Sequence, residues 1–417
     1  MTMQQSLELP NGVRVLLHRM PSSATVSACF YVLSGARDET PAQTGAAHML
    51  EHMLFRGSRL YSDEAIRRAM TETGSDMNAF TSWEQTCVYA RMLPEYFDGV
   101  FAMVNDMVRH PRLDNGDYAV ERSVVQEELA RQLDEPRSRM LQELHRIGYA
   151  GRMGGNLIGY RKDLEALELD ELRAFHQAHY VPGNTLVIIV GAFTDGQIEA
   201  ALRILNAWTE AGGVPAAERS ALKLGPDRKS RLNDRMFRKG TGIWGFALPP
   251  LQGEGHYAAH LLCTLLGDDN TMGSRLESAL VRARLAEQAN SVYTSYTGGG
   301  MLKIYSTFPG GNDEKVREVL HKELQALREG SIEETELRRA KNKMKTQLAV
   351  DASTTDSRMI SMAQAWLPGR RMVTLQEVLA RIDDLSKNQL AGIADYLLAE
   401  EPYEVIGEPI REPANPV

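Results

Sequence analysis

The chain has 417 residues, 43% of them hydrophobic and 24% charged, with 34 glycines and 17 prolines. At roughly 100–200 residues per domain, that length suggests about two to four domains with cores of their own, and the composition excludes collagen-like, coiled-coil and largely disordered chains. Lys and Arg number 47 against 55 Asp and Glu, a formal charge of −8, so a role built on neutralising nucleic-acid phosphates starts at a disadvantage.

Three cysteines, Cys29, Cys87 and Cys263, are too few and too scattered for a disulfide framework, and a reducing compartment is the simpler reading. The start lacks the uninterrupted apolar core of a secretory signal. No stretch has the length and apolarity of a membrane span; Leu186–Phe193 is strand-sized. The expectation is a soluble, cytoplasmic protein with no membrane partner.

In chain order, Gly12–Leu17 and Ala24–Leu33 read as strands around a turn at Met20–Ser23. Apolar spacing turns helical from Gly45 to Leu54 and again over Ser62–Thr73; Thr86–Met92 is a strand. Long helical patterns follow from Pro94 to Val108 and from Asp117 past Leu133. Asn184–Phe193 is a buried-type strand and Thr194–Trp208 a helix. Residues 210–232, rich in Gly, Pro and charge, read as a linker between a domain over 1–209 and another over 233–417. The second begins with a strand, Gly242–Leu248, and a helix. Strands at Ser291–Tyr296 and Met301–Phe308 flank Gly298–Gly300, a turn that lacks the spacing of a dinucleotide-binding loop. Asp313–Leu327, Ile332–Val350 and Leu375–Leu398 are helical.

The halves match each other. Ala46–Leu54 and Ala258–Leu266 agree at five of nine positions, two more exchange Met for Leu, and both follow an early strand. A duplicated domain is the better reading. The second copy replaces Glu51 and His52 by Cys263 and Thr264, so chemistry that needs those groups is confined to the first.

The residues of the first copy have the spacing that metal-assisted chemistry requires. His48 and His52 lie one turn apart on one helical face, where two imidazoles can reach one ion at about 2.0–2.1 Å. Glu51 sits beside them, placed to serve as a base without being a ligand. The neighbours Ala46, Ala47, Met49, Leu50, Met53, Leu54 and Phe55 are apolar, so three polar groups there would carry a desolvation cost without partners. A third ligand is needed. Glu121 and Glu128, seven apart, share a helical face while Glu127 points elsewhere, and spacing alone does not choose between a ligand and an acidic surface.

The order H-x-x-E-H, followed after about 70 residues by E-R-x-V-V-x-x-E, resembles the inverzincin metallopeptidases of the pitrilysin and mitochondrial processing peptidase family. Ser34–Glu39, Met77–Thr81 and Tyr180–Asn184 extend the resemblance over nearly the whole chain. It implies an α+β fold of two related domains, each a mostly antiparallel sheet with helices packed on it. It also implies Zn2+ held by His48, His52 and Glu128, with Glu51 as general base and Glu121 orienting the site from behind the ligands. Asn78 and Ala79 fall in a segment that pairs with an extended peptide substrate. The implied activity is endoproteolysis of short or unfolded peptides, a precursor peptide among them, in a closed chamber.

One part of the family's pattern is incomplete. Active members carry an Arg and a Tyr, six residues between them, in the second half. With Arg282 as the arginine the tyrosine position holds Ala289, or Asn290 in an alternative register; Tyr293 and Tyr296 are near but out of register. The resemblance therefore implies the zinc-bearing subunit of a heterodimer whose homologous partner supplies Arg and Tyr. A homodimer in which Tyr293 or Tyr296 substitutes, and a non-catalytic scaffold of the same fold, are the alternatives.

Overall fold

The computed structural model describes residues 4–209, 219, 221–268, 272–367 and 372–410. Two compact units, discontinuous in sequence, divide the chain: Met1–Leu129, Asn156–Arg219 and Ala349–Val373 form the first, and Ala130–Gly155, Ser220–Leu348 and Thr374–Val417 the second.

The first unit is built on β1 (Gln4–Glu8), β2 (Arg14–Arg19), β3 (Val26–Val32), β4 (Asp76–Thr81), β5 (Thr86–Met92) and β6 (Thr185–Gly191), in the spatial order β1-β2-β6-β3-β5-β4. β3 and β6 are buried along their whole length, as strands covered on both faces must be. They pair antiparallel, with Ala28 opposite Ile189, while β2 and β6 run parallel. Helix Phe97–Arg109 covers one face, where the Phe30 and Phe101 rings meet at a tilt with centroids 5.3 Å apart. Helix Thr355–Trp366 covers the other, its Met359, Met362, Ala363 and Trp366 buried with Cys29, Tyr31, Cys87 and Ile188. β4 is an end strand of the sheet, and among the described residues no strand pairs with its outer side.

The second unit contains β7 (Lys229–Asn233), β8 (Gly240–Leu248), β9 (Gln288–Tyr296), β10 (Gly299–Phe308) and β11 (Tyr403–Glu408), in the order β7-β11-β8-β10-β9. Here β7 and β11 are parallel and the other pairings antiparallel. This order reproduces β2-β6-β3-β5-β4 strand for strand, parallel pair and terminal hairpin included. The helix after β3, Ala46–Leu54, and the helix after β8, Glu254–Leu266, hold corresponding positions, which gives the sequence self-match its structural counterpart.

Two features depart from the sequence expectation. The units exchange segments relative to a simple cut at 210–232: helix Thr355–Trp366 belongs to the first and helix Pro136–Gly148 to the second, each following its apolar face to the sheet it covers. The run Leu375–Leu398 is two helices, Leu375–Asp384 and Lys387–Leu397. The break comes at Ser386, whose hydroxyl accepts the Gln389 N–H and caps the second helix. Residues 210–218 and 220 of the expected linker lie outside the described residues, and its end forms the start of β7. No helix of the described residues is long and apolar enough to cross a membrane.

Candidate metal centre

Helix Ala46–Leu54 is anchored before its polar residues are placed. Ala46, Ala47, Met49, Leu50, Met53 and Leu54 are fully buried. The chain enters through Gly45 at φ +93°, where a Cβ would lie 2.9 Å from the Ile158 carbonyl oxygen, so only glycine fits. The buried Glu39 carboxylate accepts the N–H groups of Gly45 and Ala47, both at 2.9 Å, and sets a negative charge against the helix N-terminus. With the helix fixed on its apolar side, His48, Glu51 and His52 fall on the remaining face, the two imidazole rings 4.8 Å apart.

Helix Asn115–Asp134 brings the carboxylates to them. Glu128 Oε2 lies 3.7 Å from His48 Nε2 and 3.5 Å from His52 Nε2. Donors at about 2.0–2.2 Å around a tetrahedral ion lie roughly 3.3–3.6 Å from one another, so the two distances to Glu128 are close to the spacing a zinc ion requires, and all three donor atoms lie within 4.8 Å of one another. Among the described residues, His48, His52 and Glu128 form the one group of three His, Cys, Asp or Glu side chains close enough to share an ion. Glu121 is two turns earlier on the same face and nearly fully buried. Its Oε2 is 2.8 Å from His52 Nδ1, the nitrogen turned away from Glu128, and its other oxygen is held by the Arg56 guanidinium. Glu127 is exposed, as its spacing requires.

Burial is the largest influence on all three polar groups of the helix. It pushes His48 down to about 4, with His52 adding to the effect and Glu128 opposing it, so this imidazole is neutral at pH 7 and free to donate a lone pair. Burial also lowers His52, but the carboxylates of Glu128 and Glu121 outweigh it and leave the group raised; a divalent cation competes with that proton for Nε2. Burial raises Glu51, opposed by a hydrogen bond from the Thr81 hydroxyl, a shift in the direction a base working near neutrality needs.

Family models cover most of the chain. "Insulinase (Peptidase family M16)" matches residues 14–160 and "Peptidase M16 inactive domain" residues 166–344. The chain belongs to the M16 peptidase family. An uncharacterized zinc protease of Bacillus subtilis, YmxG, is 26% identical over 393 residues, 94% of this chain and 95% of the relative. The beta subunit of the mitochondrial-processing peptidase of Saccharomyces cerevisiae is 26% identical over 425 residues, 96% and 89% of the two chains. A crystal structure of a protease from Helicobacter pylori superposes with a TM-score of 0.89 at 20% identity, covering 97% of this chain and 99% of that one, and shares its fold.

The gap between the two M16 matches, residues 161–165, falls within helix Arg161–Ala166, and the His48–His52–Glu128 triangle lies wholly within the first match. Asn78 and Ala79 are on the end strand β4. The Asn78 side chain is exposed, and its Oδ1 accepts the Ala79 N–H at 2.8 Å. In the second unit of this M16 chain, Arg282 is exposed and paired with Glu277. Tyr293 is buried against the rings of His256 and His260, at 5.9 and 5.0 Å, and Tyr296 packs on Tyr149. Asn290 is buried. Sequence reasoning missed three partners at the site: Glu39 beneath the helix, Arg56 behind Glu121, and Thr81, whose hydroxyl donates to Glu51 Oε2 at 2.5 Å. Glu39 and Thr81 each end a quoted segment and Arg56 follows His52 by four residues, but nothing in the spacing says where their side chains turn.

Proposed function

We propose that this chain is a zinc-dependent endopeptidase of short or unfolded peptides, with His48, His52 and Glu128 as the zinc ligands and Glu51 as general base. The observation that carries the reading is the convergence of two imidazole nitrogens and one carboxylate oxygen within reach of one ion, with a second carboxylate, the mostly buried Glu51, one residue from a ligand yet outside the ligand group. A zinc ion held there supplies Lewis acidity, polarising the peptide carbonyl and making water a competent nucleophile near neutral pH. Glu51 takes the proton of the attacking water and passes it to the leaving amine as the C–N bond breaks, leaving a carboxylate and an amine as products. Glu121 fixes the tautomer and orientation of His52. A peptide lying along the outer side of β4, against Asn78 and Ala79, is held through its main chain, which makes for loose sequence preference.

The burial of Tyr293 and the exposure of Arg282 favour a heterodimer in which this chain bears zinc and a homologous partner supplies the Arg and Tyr; the likeness to a processing-peptidase beta subunit points the same way. The partnership also supplies the closed chamber that admits unfolded but not folded substrates. The three cysteines, all buried and none in a disulfide, suit a reducing compartment such as the cytoplasm.

Mass-spectrometric cleavage mapping of a mixed peptide pool by the zinc-loaded chain, with Glu51→Gln as blank, tests both parts. Cuts absent from the blank establish the peptidase; substantial turnover by the isolated chain removes the need for a partner. A chain that binds no zinc refutes the reading outright.

A further inference from the structure

Glu51 is a mostly buried carboxylate next to a metal ligand, and a carboxylate so placed has two possible fates. It can stay apart and serve as a base, or it can swing into the ligand group of the dication beside it and be lost to proton transfer. The helix alone does not decide this, because a glutamate side chain keeps three rotatable bonds. What restrains it is on the neighbouring strand. The Thr81 hydroxyl donates to Glu51 Oε2, and among the described residues this is the one hydrogen bond made by the Glu51 side chain.

The fold turns that hydroxyl toward the helix. Alternation along β4 places Met77, Ala79 and Thr81 on one side of the strand, and helix Ala46–Leu54 packs against it. Thr81 is further fixed at the hairpin end, paired with Thr86. Its β-branched side chain has few rotamers to lose. One oxygen of Glu51 is thereby tied down and the other is left free to accept a proton. Because Thr81 lies on the same strand as Asn78 and Ala79, the strand that would align the peptide also aims the base.

We propose that Thr81 is the positioning residue of the general base, holding Glu51 out of the ligand group and oriented toward the substrate carbonyl. The inference rests on the peptidase reading above. Its test compares Thr81→Val, which keeps the shape and removes the hydroxyl, with Thr81→Ser, which restores a donor. Assays use whichever form cleaves in the wild type, the chain alone or the reconstituted pair. Removing a hydrogen bond to a charged group should lower kcat roughly 10–100-fold, with KM within about twofold and Thr81→Ser within a few-fold of wild type. Zinc affinity, read by chelator competition, should equal or exceed that of the wild type, since a freed Glu51 can only add a ligand. An unchanged kcat in Thr81→Val overturns the proposal and leaves the peptidase standing. Loss of zinc affinity in Thr81→Val without rescue by Ser overturns it as well, since that is general damage to the site. A wild type that cleaves nothing in either form refutes the peptidase reading and this one with it.

Discussion

Glu121 and Glu128 are chemically identical and share a helix face, so replacing each by glutamine separates a carboxylate that touches the ion from one that acts through another residue. Glu121 contacts His52 Nδ1 at 2.8 Å through one oxygen and the Arg56 guanidinium through the other, in a nearly fully buried position. Glutamine has the same shape but one carbonyl oxygen and no charge, so it satisfies His52 or Arg56, not both. A hydrogen bond to a charged acceptor contributes about 1.5–3 kcal/mol and a neutral one about 0.5–1.5. Glu121→Gln therefore costs on the order of 1–2 kcal/mol at His52, roughly 5–30-fold in zinc affinity, in the range expected for a partner behind a ligand. Glu128→Gln removes one of the three proposed ligands and should leave no stoichiometric zinc after dialysis. Competition with a chromophoric chelator at pH 7.5 measures both, with circular dichroism to establish that each variant is folded. A Glu121→Gln affinity within twofold of wild type would refute the link through His52. A loss as complete as that of Glu128→Gln would make Glu121 a ligand and the assignment wrong.

Three further outcomes follow from burial. Lys303 is 8% exposed on β10, makes no ion pair among the described residues, and is pushed by burial down to about 8. The unfolded chain binds more protons between pH 8 and 10.5, so the penalty is full below pH 8 and fades above it. Lys303→Met should raise stability by about 1–3 kcal/mol at pH 7 in urea unfolding, with the gain shrinking by pH 10, and a less stable variant at pH 7 would refute an unpaired ammonium. His18, His145 and His260 are lowered to about 4, 3 and 3, in each case chiefly by burial, with Arg358 beside His18, Lys303 beside His145 and His256 beside His260 adding to it. Their contribution is complete above pH 6.5 and is lost as pH falls toward 4, so urea midpoints should drop between pH 7 and 5, above the range where carboxylates titrate; equal midpoints would refute it. Gly45→Ala forces a side chain into φ +93° and against the Ile158 carbonyl, so a loss of about 2 kcal/mol or more and weakened zinc binding are expected, and a neutral thermal melt would show that the helix start can shift.

The legibility of the site divides along the distance between partners in sequence. The His48–His52 pair was visible because four residues on a helix fix a geometry whatever surrounds it. Choosing between Glu128 and Glu121 as the proposed ligand was not, since both sit on one face seven residues apart; what separates them is that helix Asn115–Asp134 meets helix Ala46–Leu54 with Glu128 Oε2 near both Nε2 atoms and Glu121 beside His52 Nδ1. The resemblance supplied that choice. Thr81, Arg56 and Glu39 act across packed elements, and their residue types are ordinary at a strand end, after a helix and before one. The same limit applies to the fold. The apolar stripe of helix Thr355–Trp366 shows that it is buried, but periodicity cannot say which of two sheets it covers.

The duplicated topology isolates what the proposed chemistry requires. Both units place a helix after the strand that follows the parallel pair, and both end their sheet in a hairpin, so backbone architecture cannot be what distinguishes them. The difference lies in side chains. Where the first helix carries Glu51 and His52, the second carries Cys263 and Thr264, which spend their polar groups internally, Cys263 on Ser291 and Thr264 on Asp268. Its histidines, His256 and His260, are packed with Tyr293 and have no carboxylate near enough to complete a ligand set among the described residues. On the proposed reading, a duplicated fold thus becomes asymmetric through a carboxylate delivered by a second helix and a base held apart by a strand, and grafting Glu and His at 263 and 264 should not create a metal site without them.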